Sequence, residues 1–489
     1  MKYILSHDFG TSSAKSALFA EDGNMISCCS YDYPTYRSNG CCVEQDPEDW
    51  WKAFCTNNRK LLEEIDKTQI ACVVFDGTIP DVLLVDRDLK PLHRALIWQD
   101  NRAGAEAEEF RARVPDSLHE GRGALGPARG AMMLMWLRKN KPEIYKNAYK
   151  VVISNSLFVI ARLSGKVVSD YELAFGTAML KTDYSGWQDE ILDILGFERD
   201  LLPELHCRTD VIGEVRECVA EECGLLPGTK IVVGADDGGC NLLGCGVYRP
   251  GDGVLSCGTS GGAGGFDRFG HHTKIRGTQA AGASLEWARK IFCCEDQIEA
   301  DKRGIDVYTV INEKIEQSPV GANGVMFHPY LAGERGMRNN PDARGSFTGL
   351  NISTTREDIL RAVAEGIAFN ISLSVDKART MGCTFKKSPF IGGMSNGSAT
   401  RQILADMINA ELIIPKNPGY SACRGAAVLG GVGVGLFDDL GACEKFMQVA
   451  AVVRPDAKAH AKYEKLKPLF EEVYHSQEPY YARFKRTEE

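Results

Sequence analysis

No run in this 489-residue chain approaches the roughly 20 uninterrupted apolar residues that cross a bilayer, so no membrane-spanning helix is expected. The opening MKYILSHDFG meets a histidine and an aspartate too early for the apolar core of a secretion signal, and reads instead as a first strand. Positive charge is in deficit. The formal net charge of −9 argues against nucleic acid or a membrane surface as a partner while leaving room for a local basic pocket. Seventeen cysteines are present, yet none are spaced C-x-x-C, and several are adjacent pairs such as Cys28-Cys29, Cys41-Cys42 and Cys293-Cys294. Neighbouring thiols are a poor geometry for one shared zinc ion, and in so long a chain the count fits free thiols in a reducing cytoplasm. The pattern G-x-x-x-x-G-K-[ST] is missing, which excludes the P-loop class of nucleotide hydrolases. The stretch Gly261-Gly262-Ala263-Gly264-Gly265 lacks the spacing of a dinucleotide-binding fingerprint.

What is there is ordinary globular composition, 44% hydrophobic and 25% charged, in a chain too long for one core. Two α/β domains are expected, 1–247 and 248–489, divided near the turn-rich Tyr248-Arg249-Pro250-Gly251-Asp252-Gly253. The first thirty residues read as a β-meander: Tyr3–Leu5, Ala14–Phe19 and Asn24–Cys29 are separated by Gly10-Thr11-Ser12-Ser13 and Glu21-Asp22-Gly23. Asp46-Pro47 opens a helix, the aspartate as cap and the proline in the first turn. Strands are expected at Ala71–Phe75, Val82–Val85 and Leu412–Ile414, and helices at Arg356–Thr380, Ser398–Ala410, Ala422–Leu436 and Ala457–Val473. A turn Gly258-Thr259-Ser260 resembles Gly10-Thr11-Ser12 about half a chain away, a short hint of an internal repeat.

Phosphoryl transfer needs donors that cradle phosphates, carboxylates that hold magnesium and a group to receive the acceptor's proton. The first turn offers all but the last. Gly10 lets the backbone approach a phosphate, Thr11 and Ser12 donate, Lys15 adds charge, and Asp8 at the strand end can orient hydrated magnesium. The same residues also read as a plain hairpin turn whose hydroxyls bond their own backbone, and Gly258-Thr259 admits the same alternative. Asp236-Asp237 follows an apolar strand and precedes a helix, where an ionised aspartate can act as a weak base or simply cap the helix.

Together these segments resemble the FGGY family of carbohydrate kinases, nearly end to end. Asp8-Phe9-Gly10-Thr11-Ser12-Ser13-Ala14-Lys15 is similar to the family's D-x-G-T-x-S-x-K/R. Glu44-Gln45-Asp46-Pro47-Glu48-Asp49-Trp50-Trp51 and Ile97-Trp98-Gln99-Asp100-Asn101-Arg102 resemble its E-Q-D-P-x-x-W-W and I-x-W-x-D-x-R runs. Pro329-Tyr330-Leu331-Ala332-Gly333-Glu334-Arg335, continuing through Asn340–Gly345, resembles xylulokinases, and Gly392-Gly393-Met394-Ser395-Asn396 resembles the adenine-side loop. The resemblance implies two ribonuclease-H-like (actin-like) domains with a nucleotide cleft between them, and ATP and Mg2+ as cofactors. It implies Asp237 rather than Asp236 as base, with Asp237 also near the metal and the acceptor; Asp8 on magnesium; Gly10, Thr11, Ser12, Lys15, Gly258 and Thr259 at the phosphates; and Gly393 with Asn396 against the nucleoside. Closure of the domains would exclude water, and a homodimer is the family's habit.

The departures concentrate at the acceptor. Where xylulokinases carry Met-His, this chain reads Thr78-Ile79-Pro80-Asp81, so Thr78, Ile79 and Asp81 become the candidate sugar contacts. His7 stands on a strand position that is usually apolar and is expected to be a buried, satisfied histidine. Glu120–Met132 fits the family pattern poorly, and Tyr420 replaces a glutamate common before the Gly-Ala-Ala helix. The expected activity is ATP-dependent phosphorylation of a ketose or sugar alcohol. The rivals are xylulokinase proper and, from another class, an ATP-binding regulator on the actin fold.

Overall fold

A computed structural model describes residues 1–120, 125–266, 272–334 and 336–488. Part of the poorly fitting Glu120–Met132 stretch, residues 121–124, and Arg335 of the xylulokinase-like run lie outside the described residues. The chain forms two units. Residues 1–244 and 420–446 make the first, and 245–419 with 447–489 make the second.

In the first unit, β1 (Tyr3–Phe9), β2 (Ser13–Ala20) and β3 (Met25–Asp32) form the expected meander. Helix α1 (Pro47–Leu61) starts where the sequence places it, with the Asp46 carboxylate accepting from the Glu48 amide and Pro47 in the first turn. Strand β4 (Ile70–Gly77) pairs parallel to β1, and β5 (Val211–Glu214) is antiparallel to β6 (Lys230–Asp236). The sheet order is β5-β6-β4-β1-β2-β3. Helix α2 (Asn155–Ser164) is buried on nearly every side, and the short helix α3 (Asp237–Gly244) follows β6 directly.

The helix Ser421–Gly433 belongs to this same unit. A single dividing point near residue 247 does not contain that return. Its cause is close backbone packing. A Cβ at Gly425 would stand 1.9 Å from the Cys240 carbonyl oxygen, and one at Gly244 would stand 1.8 Å from that of Ser421, so only glycines let the two helices touch.

The second unit repeats the topology. Strands β7 (Gly253–Cys257), β8 (Gly261–Phe266), β9 (His272–Thr278), β10 (Lys387–Ile391), β11 (Glu411–Pro415) and β12 (Val449–Val453) are ordered β9-β8-β7-β10-β11-β12. β7–β8 and β8–β9 are antiparallel, β7–β10 and β10–β11 parallel, β11–β12 antiparallel, the same pairing directions as in the first unit, except that the edge strand β12 follows its neighbour β11 in the chain whereas β5 precedes β6. This is the ribonuclease-H-like order. The two Gly-Thr-Ser turns occupy the same place, the hairpin between the first and second strands of each sheet.

Helices α6 (Arg356–Thr380) and α7 (Ser398–Ile408) pack on the second sheet, with α4 (Gly282–Phe292) against α6 and α5 (Val307–Gln317) against α6 and α7. The last helix runs Ala457–Glu488, well past the expected end at Val473 and through Pro468 and Pro479. Buried Phe470 stacks on His328 and Phe369, Tyr474 and Tyr481 cluster with Tyr330, and the Arg338 guanidinium lies 3.7 Å from the Tyr474 ring centroid, so tertiary contact overrides the prolines.

Candidate active site

The β1–β2 turn is held from outside rather than by its own hydroxyls. The Gly10 amide donates to the Ser13 carbonyl at 3.0 Å, and Tyr33 donates its hydroxyl proton to the Gly10 carbonyl. Buried Gln45 donates to the Thr11 carbonyl at 2.6 Å and to Thr35 Oγ1 at 2.8 Å, and accepts from Trp50 Nε1 at 2.9 Å. Thr11 Oγ1 accepts from Trp98 Nε1 at 3.0 Å, which leaves its own proton available to a ligand. Ser12 is exposed and Lys15 half-buried. The two tryptophan-bearing motifs thus converge on this turn. Asp100 is fully buried, accepting from the Val43 amide at 2.6 Å and forking with Arg102, which also pairs with Glu44 at 2.7 Å.

Register places Lys15, Asp8, Asp76 and Ala235 in one row across β2, β1, β4 and β6. Residues level with one another on neighbouring strands point to the same face, so Lys15 and two carboxylates share it. Asp8 is 8% exposed and Asp76 fully buried. Burial pushes the Asp8 carboxyl up, and the Lys15 charge opposes that. Asp76 is pushed well up by burial, then by Asp8, Asp237 and Asp236. Apart from the Asp8 carboxyl that it lies against, neither Asp76 oxygen meets a hydrogen-bond donor. On the opposite face His7 is fully buried, edge-on to Phe54 and stacked on Phe75. Its Nδ1 meets Ser16 Oγ at 2.7 Å but Nε2 has no partner, so it is a half-satisfied histidine, and burial lowers it to about 3.

The adjacent aspartates after β6 divide their work. Asp236 accepts from the Gly238 amide at 3.1 Å and the Gly239 amide at 3.2 Å, so it is the residue that caps α3. Asp237 opens the helix, half-buried, and its charge is felt by Asp76 and Asp81. Asp81 is 1% exposed. It accepts from Thr78 Oγ1 at 2.8 Å, the Asn155 amide at 3.2 Å and the Trp98 amide at 3.3 Å. Burial still pushes it up to about 7. Thr78 is also buried, so of the three candidate sugar contacts only Ile79 is partly open. Asn155, which no motif flagged, ties this loop to β1 by donating to the Phe9 carbonyl at 2.9 Å.

In the second unit a cavity of about 1260 Å³ is lined by Gly258, Thr259, Gly393 and Asn396, the four candidate nucleotide residues of that half, together with Trp287 and Tyr308. The β7–β8 turn is fixed by the Ala281 amide donating to the Thr259 carbonyl and the Gly282 amide to the Gly258 carbonyl, both at 2.9 Å. Gly392 has φ +93°, and a Cβ there would stand 2.5 Å from the Cys257 backbone, so glycine is required where the candidate adenine-side loop meets β7. Asn312 Oδ1 accepts from the Ala399 and Thr400 amides at 3.1 and 3.3 Å, capping α7 beside the loop. Trp287 and Tyr308 were missed because aromatic residues at helical spacing read as core; their half-exposed faces are visible only in the fold.

Residues 3–244 match the N-terminal domain, and 254–434 the C-terminal domain, of the FGGY family of carbohydrate kinases. The chain belongs to that family. It is 28% identical over 495 residues to the xylulose kinase of Bacillus subtilis (strain 168), covering 97% of each chain. It is also 28% identical over 487 residues to the gluconokinase of the same organism, covering 96% of this chain and 94% of the relative. A solved structure of ligand-bound xylulose kinase from Lactobacillus acidophilus superposes with a TM-score of 0.87 at 26% identity over 99% of this chain and all of the other. This FGGY kinase is accordingly an ATP-dependent carbohydrate kinase. Among the described residues no helix is long and apolar enough to cross a membrane.

Magnesium is the metal such a reaction uses. Among the described residues no group of three or more His, Cys, Asp or Glu is placed to hold an ion alone. That fits magnesium, which keeps several waters and needs one or two carboxylates plus phosphate oxygens. Asp8 would supply such an oxygen, a hard donor beside the candidate phosphate turn.

Proposed function

We propose that this FGGY kinase transfers the γ-phosphoryl group of ATP to a hydroxyl of a neutral ketose or sugar alcohol, with Asp237 as the base. The observation that carries the acceptor class is the surplus of carboxyls around Asp237. Asp81 and Asp76 feel its charge, and Asp76 also feels Asp8 and Asp236. Carboxyls, ionised or protonated, offer the carboxylate of an aldonate no cation to pair with, whereas they can accept from or donate to the hydroxyls of an uncharged polyol. The loop that replaces Met-His supports an acceptor other than D-xylulose, since the carboxylate of Asp81 is engaged by internal donors.

In the proposed reaction the acceptor oxygen bonds to the γ-phosphorus as the bond to the β,γ-bridging oxygen breaks, and ADP leaves. The hydroxyl proton departs late and passes to the Asp237 carboxylate, a task for which a weak base suffices. Asp236, by capping α3, holds Asp237 at the helix start. Gly10, Thr11, Ser12 and Lys15 would donate to phosphate oxygens from the first unit, and Gly258 and Thr259 from the second. Gly393 and Asn396 would lie against the nucleoside. Magnesium, when bound by Asp8 and the phosphates, supplies neutralisation of the charge on the transferring group. The same reading assigns the reaction to the cytoplasm, which supplies ATP.

The test is ADP formation against a panel of ketoses including D-xylulose, polyols, their deoxy forms and gluconate. One neutral acceptor should raise turnover far above background while gluconate does not. Gluconate as the best acceptor would overturn the acceptor class. ATP binding without stimulation by any acceptor would favour the regulator instead.

A further inference from the structure

We infer that Asp76 is a second carboxylate of the magnesium seat, completing with Asp8 a two-aspartate site at the ends of β1 and β4. The inference rests on the assignment of magnesium to Asp8 made above, and adds to it a residue outside every motif recognised in the sequence. Asp76 and Asp8 are level in the parallel register of β4 and β1 and point to the same face, with Lys15 next in the row. The residue beyond Asp76 is Ala235, whose side chain has no donor to offer.

Asp76 is fully buried and, apart from the Asp8 carboxyl, both of its carboxyl oxygens lack a hydrogen-bond donor. The buried Cys423 thiol does not supply one either, since its Sγ directs its proton to the Lys15 carbonyl at 3.5 Å. Buried carboxylates elsewhere in this unit are differently placed. Asp81 has three donors and Asp100 has the Val43 amide and Arg102. Two buried carboxyls that meet each other, one of them with no further donor, share either a proton or a cation between them. A hydrated divalent ion fills that need: it bonds directly to one carboxylate and presents water protons to the other.

The experiment titrates Mn2+, a paramagnetic substitute for magnesium, into the full-length protein with ADP, reading free Mn2+ by electron paramagnetic resonance. ADP affinity is measured separately in EDTA. Asp76→Asn, and Asp76→Ser as a smaller alternative, should weaken Mn2+ binding about 10- to 100-fold while leaving ADP affinity in EDTA unchanged, which also shows that the variant is folded. Mn2+ affinity within twofold of wild type in a folded Asp76 variant would overturn the inference. Asp8→Asn separates the two levels. If it lowers Mn2+ affinity and the Asp76 variants do not, only the second carboxylate is wrong; if it has no effect, the parent assignment fails as well.

Discussion

Asp170 shows how the acidic unit trades charge against burial at the level of one residue. It is 1% exposed and accepts from the Glu172 and Leu173 amides at 2.8 and 3.2 Å, but its second oxygen has no partner. Burial, then Asp236, pushes it up to about 8. An unfolded aspartate titrates near 3.9. The folded state therefore holds a proton that the unfolded state releases, and this contribution is complete below about pH 4 and lost as pH rises through about 8. Asp170→Asn should flatten the fall of the urea midpoint between pH 5.5 and 8.5; an unchanged fall would remove Asp170 from the account. Lys15 works in the other direction, as the cation beside Asp8. Lys15→Ala should weaken ATP binding by about tenfold or more, the worth of a charge-assisted hydrogen bond. Unchanged affinity in a calorimetric titration would take Lys15 out of the phosphate site.

Among elements, those with a local signal were legible in the sequence. Asp46-Pro47 announces α1 because cap and first-turn proline are local chemistry, and the Gly-Thr-Ser turns fall between the first two strands of each sheet. What was not legible depends on distant partners. The expected strand Ala71–Phe75 stops one residue short of Asp76, whose importance comes from its level with Asp8 on another strand. The helix Ser421–Gly433 reads correctly as a helix, but nothing local says that it returns to the first unit. Its glycines carry that information as close approach. Gly425→Ala should cost about 1–3 kcal/mol through overpacking against Cys240, read as a lowered denaturation midpoint. A variant as stable as wild type would mean that the two helices can part without loss.

For the whole molecule, repetition is the organising fact. Two sheets share one pattern of pairing, with only the edge strand and its neighbour exchanged in chain order, and the first hairpin of each carries Gly-Thr-Ser, so each half presents a candidate phosphate turn of similar build. The halves then diverge. The first gathers carboxyls beside Asp237, and the second opens a cavity whose lining includes Gly258, Thr259, Gly393 and Asn396. The family was readable because its motifs are spread along the whole chain; the acceptor was not, because the loop that would name it departs from the pattern. The central claim is that Asp237 takes the acceptor's proton. It is tested most directly by comparing Asp237→Asn with wild type for turnover on the best acceptor and for ATP affinity. The account predicts a fall in kcat of about 10²- to 10⁴-fold or more with ATP affinity nearly unchanged. Undiminished turnover would contradict it.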